Sequence, residues 1–284
     1  MIAAIYARKS SWHGGMPDGE PHPVKVSLVG GLIVCLFLFL PLPAFATTIF
    51  ATLGEKTITI AADGVAVGNP TKSGSIIGKA DCKILCKDLI CFAAAGRLDA
   101  KAKSNVFRLA QQELEKVGTP KEASNRLRTT MAPLLSAMFA AEKQESPDRY
   151  KMYIEGVPML SYFFAGFSED GTPVIIKSTA TINAKGNVLP LDESIRKGEV
   201  GIIHSLALGR QAYIRDYKKN NQMWVSSAAQ DPTAFVESMV RLEIQASEMD
   251  GTREVGEPIS IMSLTKAEGH FKAERAGNCQ TNHP

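Results

Sequence analysis

The chain reads as an α+β domain in which two antiparallel sheets pack face to face with helices outside. Three observations predict this. Strand-patterned and helix-patterned segments fall into blocks (strands, two helices, strands, two helices, a strand), an order that argues against an alternating, doubly wound parallel sheet. The strand runs are rich in β-branched and small apolar residues and are bounded by turn signals such as Asp63-Gly64 and Glu169-Asp170-Gly171. Several are apolar at successive positions, and a sandwich with helices on its outer surfaces buries such strands on both faces. Apolar residues make up 45% of the 284 positions, enough for a large core. The net charge of +3, with acids and bases interspersed, leaves no electrostatic footprint for nucleic acid. No internal repeat divides the chain.

The first segment carries an export signal. Val26–Leu42 is nearly free of polar side chains, follows His22 and Lys25, and leads through Pro43 into Ala44-Phe45-Ala46. That is the n-region, apolar h-region and A-x-A exit of a secretory signal peptide, with the cut before Thr47. An uncleaved membrane anchor is the alternative, since the run is near spanning length. The prolines and the small-residue exit favour cleavage, which places the mature protein in the periplasm or outside the cell, in contact with membrane only through the signal. Cys35 lies inside the apolar run, so a lipoprotein cut there is not expected. Met1–Trp12 resembles the opening strand of serine recombinases over a dozen residues, and nothing later continues the likeness. Residues 1–15 read as a misassigned start or an untidy n-region, with Met16 the more economical beginning. The expected organisation is a signal peptide with an N-terminal extension over 1–46, one domain over 47–265 and a polar, frayed tail over 266–284.

Cleavage after Ala46 leaves Cys82, Cys86, Cys91 and Cys279, in a compartment that permits disulfides. Cys82 and Cys86 on one strand lie roughly 13 Å apart, too far to bridge. Cys86 and Cys91 flank a turn at Lys87-Asp88 and face each other across a hairpin, as a disulfide or as buried thiols. No Cys/His spacing reads as a metal site, and no cofactor motif is present.

In order, Thr47–Leu53 and Thr57–Ala62 form a hairpin around Gly54-Glu55-Lys56, and 65–80, with Asn69-Pro70, is a loop. Lys83–Leu85 and Leu89–Ala94 form a second hairpin. Leu98–Val117 shows helical periodicity through Ala102, Val106, Leu109, Ala110 and Leu114. Thr119-Pro120 with Glu122 starts a second helix, running to about Lys143, as N-cap, first-turn proline and capping-box acid. Gln144–Pro147 is a polar break. Strands Leu160–Phe167 and Pro173–Ser178 follow, then an irregular stretch over Thr179–Lys197. Further helices fit Gln211–Lys219, with Leu206 as an alternative start, and Pro232–Ser247 behind the N-cap Asp231. The last strand is Pro258–Leu264.

Four motifs, Thr47-Thr48-Ile49, Ile60-Ala61-Ala62-Asp63-Gly64, Lys83-Ile84-Leu85 and Phe92-Ala93-Ala94-Ala95-Gly96 leading to Asp99, together resemble the proteasome β-subunit type of N-terminal nucleophile hydrolase. The likeness extends in element order over residues 47–265 and implies a four-layer αββα sandwich. It implies further that Thr47 supplies both nucleophile and base, that Asp63 orients a lysine, that the lysine tunes the Thr47 amine, and that the N–H of Ala95 or Gly96 meets the oxyanion. The chemistry needs these groups independently of any family. Amide hydrolysis requires a nucleophile, a base near neutrality and donors for the tetrahedral oxyanion. An α-amino group titrates at about 7.7–8.0, already close to that requirement.

Two lysines compete for the tuning role. Lys79 has the family's ungapped separation from Thr47; Lys83 has the local context, directly before a strand. Lys83 is favoured because loops absorb insertions more readily than strands change register. The sequence departs from the family at Leu208, where a signature serine is expected, at Val255, where a second hydroxyl is expected near Asp250, at Ala94-Ala95, where paired glycines are usual, and at Ala46, where self-cleaving members carry glycine. His204 reads as structural, and no Ser, His and Asp assemble into a triad. Two functions follow. One is an exported threonine hydrolase acting on peptide or small-amide substrates. The other is a non-catalytic assembly or binding subunit; in either case the resemblance allows a homo-oligomeric ring.

Overall fold

A computed structural model describes residues 47–64, 83–96, 105–116, 118–251 and 255–276. The signal peptide expected through Ala46, the loop expected over 65–80 with Lys79, and Cys82, Asp99, Ala102 and Cys279 lie outside the described residues. Among the described residues ten strands and six helices form two sheets and two helical layers. The strands are β1 (Thr48–Leu53), β2 (Thr57–Ala62), β3 (Ile84–Lys87), β4 (Ile90–Gly96), β5 (Leu160–Phe167), β6 (Pro173–Ala180), β7 (Asp192–Lys197), β8 (His204–Gly209), β9 (Ser260–Ala267) and β10 (His270–Ala276). The helices are α1 (Val106–Leu114), α2 (Pro120–Glu145), α3 (Pro147–Ile154), α4 (Ala212–Asn220), α5 (Trp224–Gln230) and α6 (Pro232–Met249). One sheet runs β10-β9-β2-β1-β8 and the other β3-β4-β5-β6-β7, every pair antiparallel.

Strand alternation sorts the core into three layers. Ile49, Ala51 and Leu53 of β1 meet Ala93, Phe163 and Ala165 between the sheets. Phe50, the intervening residue, turns outward to α6, edge-on to Phe235 with ring centroids 5.9 Å apart. In the second sheet Phe92, Tyr162 and Phe164 face α1 and α2, against Leu127, Met131 and Leu135. Both faces of β1, β4 and β5 are therefore buried, as their near-continuous apolar sequences require. This is the αββα sandwich expected from the sequence.

Several elements differ from the sequence reading. The first helix begins at Val106, because Asn105 is extended (φ −65°, ψ 114°) and its side chain accepts the Arg108 N–H. The capping box at Thr119 and Glu122 forms as expected. After the break at Ser146, Pro147 starts α3, a short helix for which proline supplies a pre-set first φ. The stretch from Thr179 holds β7, an exposed polar edge strand made regular by β6 alone. Leu206 belongs to β8, since pairing with β1 selects a strand where periodicity also allowed a helix. Trp224 opens α5 and stacks near Phe235, beneath the Lys218 ammonium at 4.5 Å. The last expected strand begins at Ser260 and continues to Ala267. The tail beyond Lys266 is not frayed through Ala276. Glu268 (φ 50°) and Gly269 (φ 80°) make a two-residue turn of the kind that matches strand twist, and β10 returns along β9.

Candidate active site

The site forms at the end of the sandwich where β1 begins. Asp63 follows β2 directly, and antiparallel pairing of β2 with β1 carries it back beside Thr48. The Asp63 N–H donates to the Thr48 carbonyl at 3.1 Å, and the Thr48 N–H donates to Asp63 Oδ1 at 2.7 Å. Lys83, immediately before β3, extends its ammonium to both oxygens of the same carboxylate, 2.9 Å to Oδ1 and 2.8 Å to Oδ2. Asp63 is fully buried and the Lys83 side chain is 6% exposed. Burying two charges is a poor way to gain stability, because their desolvation offsets much of their attraction. Such pairs concentrate where chemistry needs a held charge.

Thr47 is itself buried, 6% exposed. Its carbonyl accepts the Arg210 N–H at 2.8 Å, one residue past the end of β8. Gly209 makes this approach possible. It sits at φ +73°, and a Cβ there would lie 1.9 Å from the Thr47 oxygen. The same Cβ would lie 3.3 Å from that of Ala95, so β4 of the facing sheet reaches the Thr47 position as well. Gly96 follows at φ +106°, its α-carbon packed so closely on the Met159 carbonyl that a side chain would stand 2.3 Å from it. Thr47, Asp63, Lys83 and Ala95 thus converge, with Gly96 next in line; Lys79 lies outside the described residues. Leu208 and Val255, 1% and 2% exposed, belong to the apolar core on either side of this sheet and offer no hydroxyl.

Among solved structures the chain is similar to Anbu. A Gly-1 mutant of Anbu from Hyphomicrobium sp. strain MC1 is 13% identical, with 83% of this chain and 89% of that chain covered at a TM-score of 0.46. A second structure of Anbu from the same organism is 14% identical, with 82% and 88% covered at a TM-score of 0.45. The likeness is one of fold. No family model matches the chain, and no curated protein matches it.

Two charged residues near Thr47 escape a reading by motif. Arg210 reaches Glu243 Oε2 with Nε at 3.3 Å and Asp250 with Nη2. Glu243 is fully buried, and its other oxygen accepts the Ile214 N–H at 2.9 Å. Burial pushes the Glu243 carboxyl above its usual range, against the pull of the Ile214 N–H and the Arg210 charge. A signal was present in the sequence: Glu243 stands on the apolar stripe of α6 with Val236, Met239, Val240 and Ile244. A surface groove lined by Glu55, Lys56, Gly171, Lys266 and Gly269 lies at the far end of β1 and shares no residue with this cluster.

Proposed function

We propose that the chain is an exported N-terminal threonine hydrolase that cleaves amide bonds, those of peptides in particular, after signal-peptide cleavage behind Ala46 frees Thr47. The observation that carries this reading is the buried Lys83–Asp63 pair, whose carboxylate also takes the N–H of Thr48, the residue next to the nucleophile. The freed amine accepts the Thr47 hydroxyl proton as the oxygen attacks the substrate carbonyl carbon. The tetrahedral intermediate collapses with cleavage of the C–N bond, and the amine passes that proton to the departing nitrogen. Water then hydrolyses the ester on Thr47 by the same route. Lys83, a fixed positive charge, disfavours the protonated amine and keeps it basic near neutrality. The N–H of Ala95 or Gly96, at the end of β4, is the donor for the oxyanion. Asp63 acts on Lys83 rather than on substrate.

The test is the N-terminal sequence of the mature protein from the exported fraction, followed by hydrolysis of a fluorogenic peptide library with Thr47→Ala as control. A start at Thr47 and activity lost in the variant are expected. A start elsewhere, or activity that survives Thr47→Ala, overturns the proposal.

A second reading, a non-catalytic assembly or binding subunit capable of forming a homo-oligomeric ring, is favoured by one observation. Leu208 and Val255 are buried apolar residues where the resemblance expects hydroxyls to support the terminal amine. A mature chain beginning at Thr47 that stays inert toward peptides and small amides supports this alternative.

A further inference from the structure

Arg210 grips the start of β1 through its main chain and is tied down through its side chain. Its N–H donates to the Thr47 carbonyl at 2.8 Å, and its carbonyl accepts the Thr48 hydroxyl at 3.0 Å. The guanidinium is 13% exposed and lies between Glu243, on α6, and Asp250, which caps the C-terminus of that helix. Glu243 in turn holds the first turn of α4 through the Ile214 N–H. One side chain therefore joins β8, α4 and α6 at the point where the backbone meets Thr47. A fully buried glutamate on the otherwise apolar α6 stripe carries a desolvation cost that its ion pair at best offsets. Its presence there fits a requirement for fixed geometry rather than for stability. The planar guanidinium suits that requirement, because its fork sets direction as well as charge. The side chains of Leu208 and Val255 cannot contribute hydrogen bonds there.

We propose that Arg210 is the positioning residue of Thr47: its guanidinium, anchored on Glu243 and Asp250, holds the 209–210 backbone so that Thr47 sits in register with Asp63, Lys83 and Ala95. This rests on Thr47 being the nucleophile. Any residue except proline at 210 can make the main-chain contacts, so side-chain substitution isolates the anchor.

Arg210→Ala alone leaves Glu243 buried without its cation and threatens folding. The decisive variant is therefore the double Arg210→Met/Glu243→Gln, in which the amide oxygen still accepts the Ile214 N–H. The probe is a peptidyl β-lactone that acylates an N-terminal threonine, used on the mature chain. Expected is a melting temperature close to that of the parent, an unchanged concentration for half-maximal acylation and a maximal rate lower by about 100-fold, the penalty for a reacting atom misplaced by about 1 Å. Acylation of the double variant at the parental rate overturns the proposal. If the parent itself is not acylated, the threonine-nucleophile reading fails separately. Positioning is then read by hydrogen exchange at the backbone amide of residue 210, corrected for the intrinsic rates of arginine and methionine. Protection lower by about tenfold or more in the double variant upholds it, and unchanged protection overturns it.

Discussion

Lys83 and Asp63 meet through both carboxylate oxygens, at 2.9 and 2.8 Å, in a site nearly closed to solvent. Removing either partner strands the other charge in the interior. Lys83→Met or Asp63→Asn alone should therefore lower stability by about 3–5 kcal/mol, measured by urea unfolding. The double variant keeps an amide oxygen that can still accept the Thr48 N–H. It should recover most of that loss and remain unreactive toward the β-lactone. Recovery of reactivity along with stability would remove Lys83 from the mechanism.

Gly209 admits no side chain without moving Thr47. At φ +73° an alanine costs about 1–2 kcal/mol for its backbone alone. Its Cβ would also meet the Thr47 carbonyl at 1.9 Å, so Gly209→Ala should exceed that range and depress Thr47 acylation together with thermal stability. A variant that melts like the parent would show that Thr47 lies elsewhere.

Cys86 and Cys91 form a disulfide across the β3–β4 hairpin, with Cα atoms 4.1 Å apart. β3 is an edge strand paired with β4, and Lys83 precedes it directly. Closing so short a loop stabilises by roughly 2 kcal/mol through restriction of the unfolded chain. Cys86→Ala/Cys91→Ala should show that loss in urea unfolding under non-reducing conditions, and none of it once the parent is reduced.

Asp170 accepts the Ser168 hydroxyl at 2.6 Å and the Thr172 N–H at 2.8 Å in the β5–β6 turn. These bonds hold its carboxyl down at about 2, from an ordinary 3.8. A carboxyl whose folded value is depressed contributes stability that is present above pH 3.8 and lost as pH falls toward 2. Asp170→Ala should thus destabilise the chain at about pH 5–7 and converge on the parent near pH 2. A stability difference that persists at about pH 2 would assign the effect to the turn backbone.

Much of the fold was legible because its determinants are local. β1, β2 and β5 are apolar on both faces and end in turn residues, so their sequences specify strands buried on both sides. Thr119 and Glu122 cap α2 within one turn, and Asp231 caps α6 by the same local geometry. Thr47 stood out behind an A-x-A exit, whereas Asp63 at a strand end reads locally as a turn residue and became a site candidate only through the motif resemblance. Other elements exist only because a neighbour offers a hydrogen-bonding edge. β7 and β10 are polar and exposed, and β8 carries a Leu206-Ala207-Leu208 pattern compatible with a helix, so pairing with β6, β9 and β1 decided all three. The site divides in the same way. The sequence by itself determined which residue types were available, a threonine, an aspartate, lysines and a small-residue turn. Only the tertiary structure decided that Lys83 lies against Asp63, that Gly209 lets the chain close on Thr47, and that Arg210 finds Glu243. Those contacts span 20 to 162 positions, and short-range periodicity carries no information about pairs so far apart.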